Sequence, residues 1–280
     1  MFIFFTININ KIYAKDLNIK ANEILTFDGE EKIIGKDNAE AKIEGEIEIF
    51  ADEFIYYKNK NLLIAEGNVV VFDIINKIKI NSKKITYNKL SNLIISYDKT
   101  FFEIENKYKI NSSDVNYDIY KSIISSDNSA TVEDHLGNYV YTLSFKYSNE
   151  DKILDGEKIE LIDNEKNKYY VNVGKIKLDK YELLGKDIKI FLRNDTFGIP
   201  QNEPKLKGNS VYYFDNKTII KKGIFTSCKE NDNCPPWSIT SKKITHDKNK
   251  REIHYENALL KLYNIPVLYF PKFFHPDPTV

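Results

Sequence analysis

Apolar and polar residues alternate along much of the chain. Ile43, Ile47 and Ile49 fall on one face of an extended segment, while Glu44, Glu46 and Glu48 fall on the other. Tyr139, Tyr141, Leu143, Phe145 and Tyr147 form a second period-two stripe. Successive strand side chains point to opposite faces, so stripes of this kind predict sheets with one buried face. Convincing helical periodicity is nearly absent.

A longer rhythm is laid over the alternation. Phe54-Ile55-Tyr56, a short turn-like segment and Leu62-Leu63-Ile64 return as Ile85-Thr86-Tyr87 with Leu93-Ile94-Ile95. The pattern returns again as Val115-Asn116-Tyr117 with Ile123-Ile124-Ser125, and as Phe145-Lys146-Tyr147 with Ile153-Leu154-Asp155. The copies start at 54, 85, 115 and 145, and fainter ones follow at Val211 and Ile244. Gly67 and Asn68 come after the first copy, and Asp98 and Asn128 stand at the position of Gly67 in the next two. All are turn formers. Each unit therefore reads as strand, tight turn, strand, connector. A period of ~30 residues predicts units that stack, each covering the apolar face of the next. The fold expected is all-β: a jelly-roll-like stacked sandwich of strand-turn-strand repeats, with a β-solenoid as the other arrangement such units can take.

Composition narrows the function. The chain has 280 residues, with 41 Lys plus Arg against 41 Asp plus Glu. That balance argues against a nucleic-acid partner, which calls for a basic excess to meet phosphates. The 19 Tyr and 17 Phe suit strands. All prolines and both cysteines lie from Pro200 onward, which marks a change of role near residue 200. The organisation expected is an N-terminal segment over 1–20, repeats over 21–199, and the end of the jelly roll with a connector over 200–280. Met1 to Ala14 reads as a short export signal lacking a basic start, or as a frayed first strand. No apolar run is long enough for a membrane-spanning helix.

Residues that carry chemistry are few. There is no phosphate loop, no nucleophile elbow and no zinc-protease pair of histidines, so no enzyme and no cofactor are expected. His246 and His254 share a strand pair and could face one another, but no third ligand accompanies them and no metal is expected. A polysaccharide-cleaving solenoid would need carboxylates at repeat spacing, whereas Asp52, Lys83, Ser113 and Leu143 occupy equivalent places. Cys228 and Cys234 flank five turn-tolerant residues. They can pair as a disulfide, hold a metal, or bond to a segment elsewhere.

The C-terminal stretch is the most specific. Phe225-Thr226-Ser227-Cys228 precedes Cys234-Pro235-Pro236-Trp237 and a strand ending in His246-Asp247. Asn264-Ile265-Pro266-Val267-Leu268-Tyr269-Phe270-Pro271 and His275-Pro276-Asp277-Pro278 follow. This resembles the LptD/OstA family, the lipopolysaccharide translocon of the outer membrane, over about residues 45–280. Ala51-Asp52-Glu53-Phe54-Ile55-Tyr56 with Ala65-Glu66-Gly67-Asn68-Val69 likewise resembles a unit shared by that family's N-terminal domain and the periplasmic bridge proteins.

The resemblance implies an OstA-like jelly roll on the periplasmic side of the outer membrane, receiving lipid A acyl chains in an apolar groove. Groove candidates are Phe54, Tyr56, Leu62, Ile64, Ile85, Tyr87, Leu93, Ile95, Val115, Tyr117 and Ile123. An early strand carrying Ile43, Ile47 and Ile49 would pair edge to edge with a bridge protein. In the family a barrel follows, whereas this sequence ends at Val280, and an outer-membrane lipoprotein partner is implied only where the barrel is present. The alternatives are a stand-alone periplasmic carrier of the same superfamily and an unrelated β-solenoid hydrolase or adhesin.

Overall fold

A computed structural model describes residues 17–43, 46–192, 203–228 and 236–276. The chain runs as a meander of bent rungs, each antiparallel to the one before. β1 (Leu17–Lys20) and β2 (Glu23–Phe27) lie against the two halves of β3 (Lys32–Ile43). β4 (Ile47–Tyr57), β5 (Leu62–Asp73) and β6 (Ile78–Asn88) follow as full-length strands. The next rungs are each broken in two: β7 (Leu93–Tyr97) with β8 (Lys99–Ile104), and β9 (Tyr108–Ser113) with β10 (Asn116–Asp118). β11 (Ile123–Ser126) with β12 (Ala130–Asp134), and β13 (Tyr139–Thr142) with β14 (Ser144–Ser148), continue that pattern. Long strands then return: β15 (Ile153–Ile162), β16 (Lys168–Lys177), β17 (Glu182–Phe191) and β18 (Lys205–Phe214). β19 (Lys217–Thr226), β20 (Trp237–Asp247), β21 (Glu252–Leu262) and β22 (Ile265–Pro276) complete the array.

Each rung bends at its middle, and the bend is written in the burial pattern. In β4 the inward residues are Ile47, Ile49 and Ala51, then Phe54 and Tyr56, so the alternation skips one residue. β17 does the same between Gly185 and Ile188. One extra residue at the corner returns the chain to the same face and sharpens the bend, as a β-bulge does. The corner residues often adopt left-handed backbone: Asn68, Asp98, Lys158, Asp187, Lys222 and Asn257 all have φ between 45° and 59°. Asn and Asp tolerate this region because short polar side chains bond locally. The connector of the sequence unit is therefore no connector. It is the half of each rung beyond the corner, so every unit is a full hairpin bent across two wings.

The two wings fold toward each other and bury one common face. Along the turn-bearing margin of one wing runs a ladder, paired in register: Tyr56, Leu63, Tyr87, Ile94, Tyr117, Ile124, Tyr147 and Leu154. Its tyrosines are those of the sequence repeat. At the far end the interior is filled by rings of Phe225, Trp237, Tyr255, Phe273 and His275. The pairing of β17 with β18 carries the array past residue 200 without a break, and β1 lies inside the segment expected to end at residue 20. Residues 1–16 lie outside the described residues, and with them the segment read as an export signal or a frayed first strand.

Candidate functional site

The groove candidates divide between the two faces of the wall. Phe54, Tyr56, Ile85, Tyr87, Val115 and Tyr117 point inward and are buried. Leu62, Ile64, Leu93, Ile95 and Ile123 point outward and are half-buried. Their inward neighbours are Leu63, Ala65, Ile94 and Ile124. Runs such as Leu62-Leu63-Ile64 are apolar on both faces, and a one-residue slip there exchanges inside for outside. The stripe over 139–147 is corrected similarly. Phe145 and Tyr147 face in, whereas Tyr139, Tyr141 and Leu143 face out, because the corner at Leu143 resets the alternation.

Ile43, Ile47 and Ile49 do not form an edge strand. Ile43 and Ile47 face each other across the β3–β4 turn. β4 is paired on both sides, by β3 and β5, and all three isoleucines are fully buried. Among the described residues the edges are β1 with β2 at one end and β22 at the other.

Along the ladder Tyr56, Tyr87, Tyr117 and Tyr147 are buried in the interior. The tyrosine series lapses at the next rung. The row continues from Leu154 to Ile176, Leu183 and Tyr213, so the strand position that holds tyrosine in β4, β6, β10 and β14 holds isoleucine in β16. A cavity of about 300 Å³ occupies that gap. It is lined by the apolar side chains of Val132, Val140, Leu161, Ile176, Leu178 and Leu183, by Tyr169, Tyr181 and Tyr213, and by polar groups that include Asp134, Asn138, Asp163 and Lys248. An apolar pocket with few convergent polar groups is the usual form of a small-ligand site, roughly 300–1,000 Å³. The sequence analysis missed this site. Its signal was the loss of the tyrosine at the fifth repeat position, Ile176.

The rims of the two wings meet in polar clasps. In the first, Asp73 of the β5–β6 turn accepts the Tyr117 hydroxyl of the opposite wing. Asn76 beside it accepts Ser122 Oγ at 2.7 Å, and its carbonyl accepts Asn149 Nδ2 at 3.1 Å. Burial, with the Asp73 charge adding to it, pushes the Tyr117 phenol far above its ordinary range. In the second, Lys152 Nζ donates to Glu105 Oε1 at 2.7 Å, and that bond holds Glu105 below the usual carboxylate range. In the third, Lys248 Nζ lies 2.6 Å from Glu165 and 3.3 Å from Asp163. Burial lowers the Lys248 pKa, but the Glu165 hydrogen bond and the two carboxylate charges outweigh it and hold the lysine charged.

The other candidates do not assemble. His246 points inward and is buried, whereas His254 points outward, stacks on Phe274 and lies 2.8 Å from Glu252. The two occupy opposite faces, and among the described residues no cluster of three or more His, Cys, Asp or Glu could hold a metal. Cys228 is half-buried with Sγ 3.8 Å from the Trp237 carbonyl oxygen. Cys234 lies outside the described residues.

Over 67 residues the chain is 37% identical to the LPS-assembly protein LptD of Yersinia pestis bv. Antiqua, a stretch that covers 24% of this chain and 8% of that protein. The LptD proteins of Yersinia enterocolitica and Sodalis glossinidius match over 67 residues at 36% and 31% identity, with the same coverage. No family model matches the chain. A crystal structure of LptH from Pseudomonas aeruginosa, described as the LptA homologous periplasmic component of the lipopolysaccharide transport device, aligns at 10% identity with a TM-score of 0.24. That alignment covers 53% of this chain and 95% of LptH, and so loose a superposition carries no inference.

Proposed function

We propose that this chain, which carries a domain of LptD/OstA type, is a periplasmic part of the lipopolysaccharide-assembly route and takes acyl chains between its wings. The identity to LptD over 67 residues carries this reading. The interior supports it: a cavity walled in part by Val132, Val140, Leu161, Ile176, Leu178 and Leu183 suits an alkyl chain whose headgroup stays in water. Each methylene moved from water into such a wall gains about 0.8 kcal/mol. The role is transport, without a catalytic residue or a cofactor, on the periplasmic side of the outer membrane.

The bridge partner is assigned to the edge that β1 and β2 form among the described residues. A strand added there would continue the antiparallel array by main-chain bonds. β22 offers a second edge and exposes Ile265, Val267, Leu268, Tyr269 and Phe274. A lipoprotein partner of the outer membrane belongs to this reading only where a barrel accompanies the domain.

The test is a photoreactive residue placed in turn at Val140, Leu183, Tyr117 and the exposed Lys186, followed by crosslinking to lipopolysaccharide in the periplasm. Adducts at Val140 and Leu183, with none at Lys186, support the reading. Silence at both cavity positions in a folded protein overturns it, and adducts at Tyr117 as well would extend the path along the whole interior.

A further inference from the structure

The charge of the chain balances overall but not along the array. Over Leu17–Asp73 the described residues hold 12 Asp plus Glu against 6 Lys plus Arg, whereas over Lys205–Pro276 they hold 12 Lys plus Arg against 4 Asp plus Glu. On the later strands much of the excess gathers on the outer side of the corners. A row of outward residues crosses β17–β22 there, paired in register: Lys186, Ser210, Lys221, Lys243, Glu256 and Lys272. Lys222 and Lys242, the extra residues of their corners, stand beside the row and are exposed.

Where the same row crosses the first strands, its lysines are matched. Lys36, Glu53, Glu66 and Lys84 are paired neighbours, with Lys36 3.9 Å from Glu53 and Lys84 2.7 Å from Glu66. Across β17–β22 the row's one ion pair among the described residues joins Lys243 to Glu256 at 2.8 Å. That hydrogen bond, with the charges of Lys272 and Lys242 assisting, holds Glu256 below the ordinary carboxylate range. Lys186, Lys221, Lys222, Lys242 and Lys272 make no ion pair among the described residues. Lys221 even stands directly opposite Lys243, and like charges facing each other across a strand pair are destabilising. An anion held over the row offsets that cost. The outward positions flanking the row carry apolar side chains: Leu184, Tyr212 and Phe274 on one side, Ile224, Leu259 and Tyr269 on the other. Leu184, Tyr269 and Phe274 are each more than half exposed.

We propose that the outer corner of β17–β22 is a docking surface for the anionic face of a lipid bilayer, with its lysines over the phosphates and its flanking side chains at the headgroup level. The inference is independent of the acyl-chain reading above. Anionic lipid attracts basic residues that come within about a Debye length of it. At about 4.8 Å per strand the row extends roughly 24 Å, so it meets a plane and not a point. The flanking rows decide against a soluble polyanion, which would leave Leu184, Tyr269 and Phe274 in water, whereas a bilayer interface takes up tyrosine and aliphatic side chains beside lysine. A second copy fits less well, because Glu53 and Glu66 in the corner row of its acidic end are already paired with Lys36 and Lys84.

The experiment is flotation of the full chain with vesicles of one-third phosphatidylglycerol in phosphatidylcholine, beside vesicles of phosphatidylcholine alone. It is run at about 0.1 M and about 1 M salt, where the Debye length is about 10 Å and about 3 Å. In one variant Lys186, Lys221, Lys222, Lys242 and Lys272 are all changed to glutamine. In a control the exposed Lys20, Lys60, Lys83, Lys99 and Lys109 are changed in the same way. Circular dichroism verifies each fold, and the single substitutions Lys221→Gln and Lys272→Gln read the same loss in smaller steps. The expected result is flotation on the anionic vesicles at low salt, weakened at high salt and absent on phosphatidylcholine alone. The corner variant loses about tenfold or more in affinity and the control keeps it. Leu184→Ser with Tyr269→Ser, which leaves the charge unchanged, also weakens flotation. Undiminished flotation of the corner variant, or equal flotation on both vesicles, overturns the proposal. Binding to inorganic polyphosphate without flotation overturns it in favour of a soluble polyanion. A dimer in sedimentation velocity that the corner variant dissolves, again without flotation, overturns it in favour of a second copy.

Discussion

At the scale of single residues, the inner face near the corners is tight enough that side-chain volume decides stability. Gly156, Gly174 and Gly185 stand in one inner row, paired strand to strand. A Cβ added at Gly185 would lie close against Val171 Cγ1 and 3.4 Å from Val211 Cγ1. A valine has little freedom at χ1 to move aside. Gly185→Ala is therefore expected to destabilise the protein by about 1–3 kcal/mol through overpacking. The next residue, Leu184, points to the other face and is 55% exposed. Leu184→Ala is expected to stay within about 0.5 kcal/mol of the parent. Urea midpoints of the two variants compare them directly, and equal shifts would refute the assignment of faces.

At the scale of elements, the rung depends on its corner. Asp187 holds φ of 52° between the halves of β17. A β-branched side chain is strained there, so Asp187→Val is expected to cost about 1–3 kcal/mol. Asp187→Gly, which removes the strain, is expected to hold or raise the urea midpoint. A loss as large with glycine would mean that the aspartate side chain, not the backbone, secures the corner. The corners also explain what the sequence made legible. Strand content, the repeat and the inward tyrosines Tyr56, Tyr87, Tyr117 and Tyr147 follow from spacing alone. The facing of Leu62, Ile64, Leu93, Ile95 and Ile123 does not, because apolar runs carry no period. That the strands carrying Ile43, Ile47 and Ile49 are paired on both sides was equally hidden, since alternation shows a buried face but not how many neighbours a strand has. The cavity was half legible: Ile176 breaks the tyrosine series, but only pairing shows that the break adjoins Leu183 and opens between Val132 and Val140.

At the scale of the whole molecule, two wings are held together by a packed interior and by clasps, two of which pair a lysine with carboxylates. Glu105 lies below the ordinary glutamate range, chiefly because of its hydrogen bond from Lys152, with burial opposing and the charges of Lys152, Lys107 and Lys77 assisting. A carboxyl depressed in the folded state stabilises it at pH above the unfolded value, and that contribution is lost as pH falls through the folded value. Lys248 is the mirror case. Its raised pKa contributes fully below the ordinary lysine value and is lost only as pH rises through the folded one. Each clasp needs both its lysine and its carboxylate charged, so acid weakens them at the carboxylate and strong base at the lysine. Glu105→Gln is expected to lower stability near neutrality by about 0.2–1 kcal/mol, the range for a partly exposed pair. Because the wild type loses the same interaction on protonation, the two urea midpoints should converge below about pH 4, where a free glutamate protonates. Midpoints that run parallel through that range would show that Glu105 contributes by packing rather than by charge, and the clasp would then be insensitive to acid.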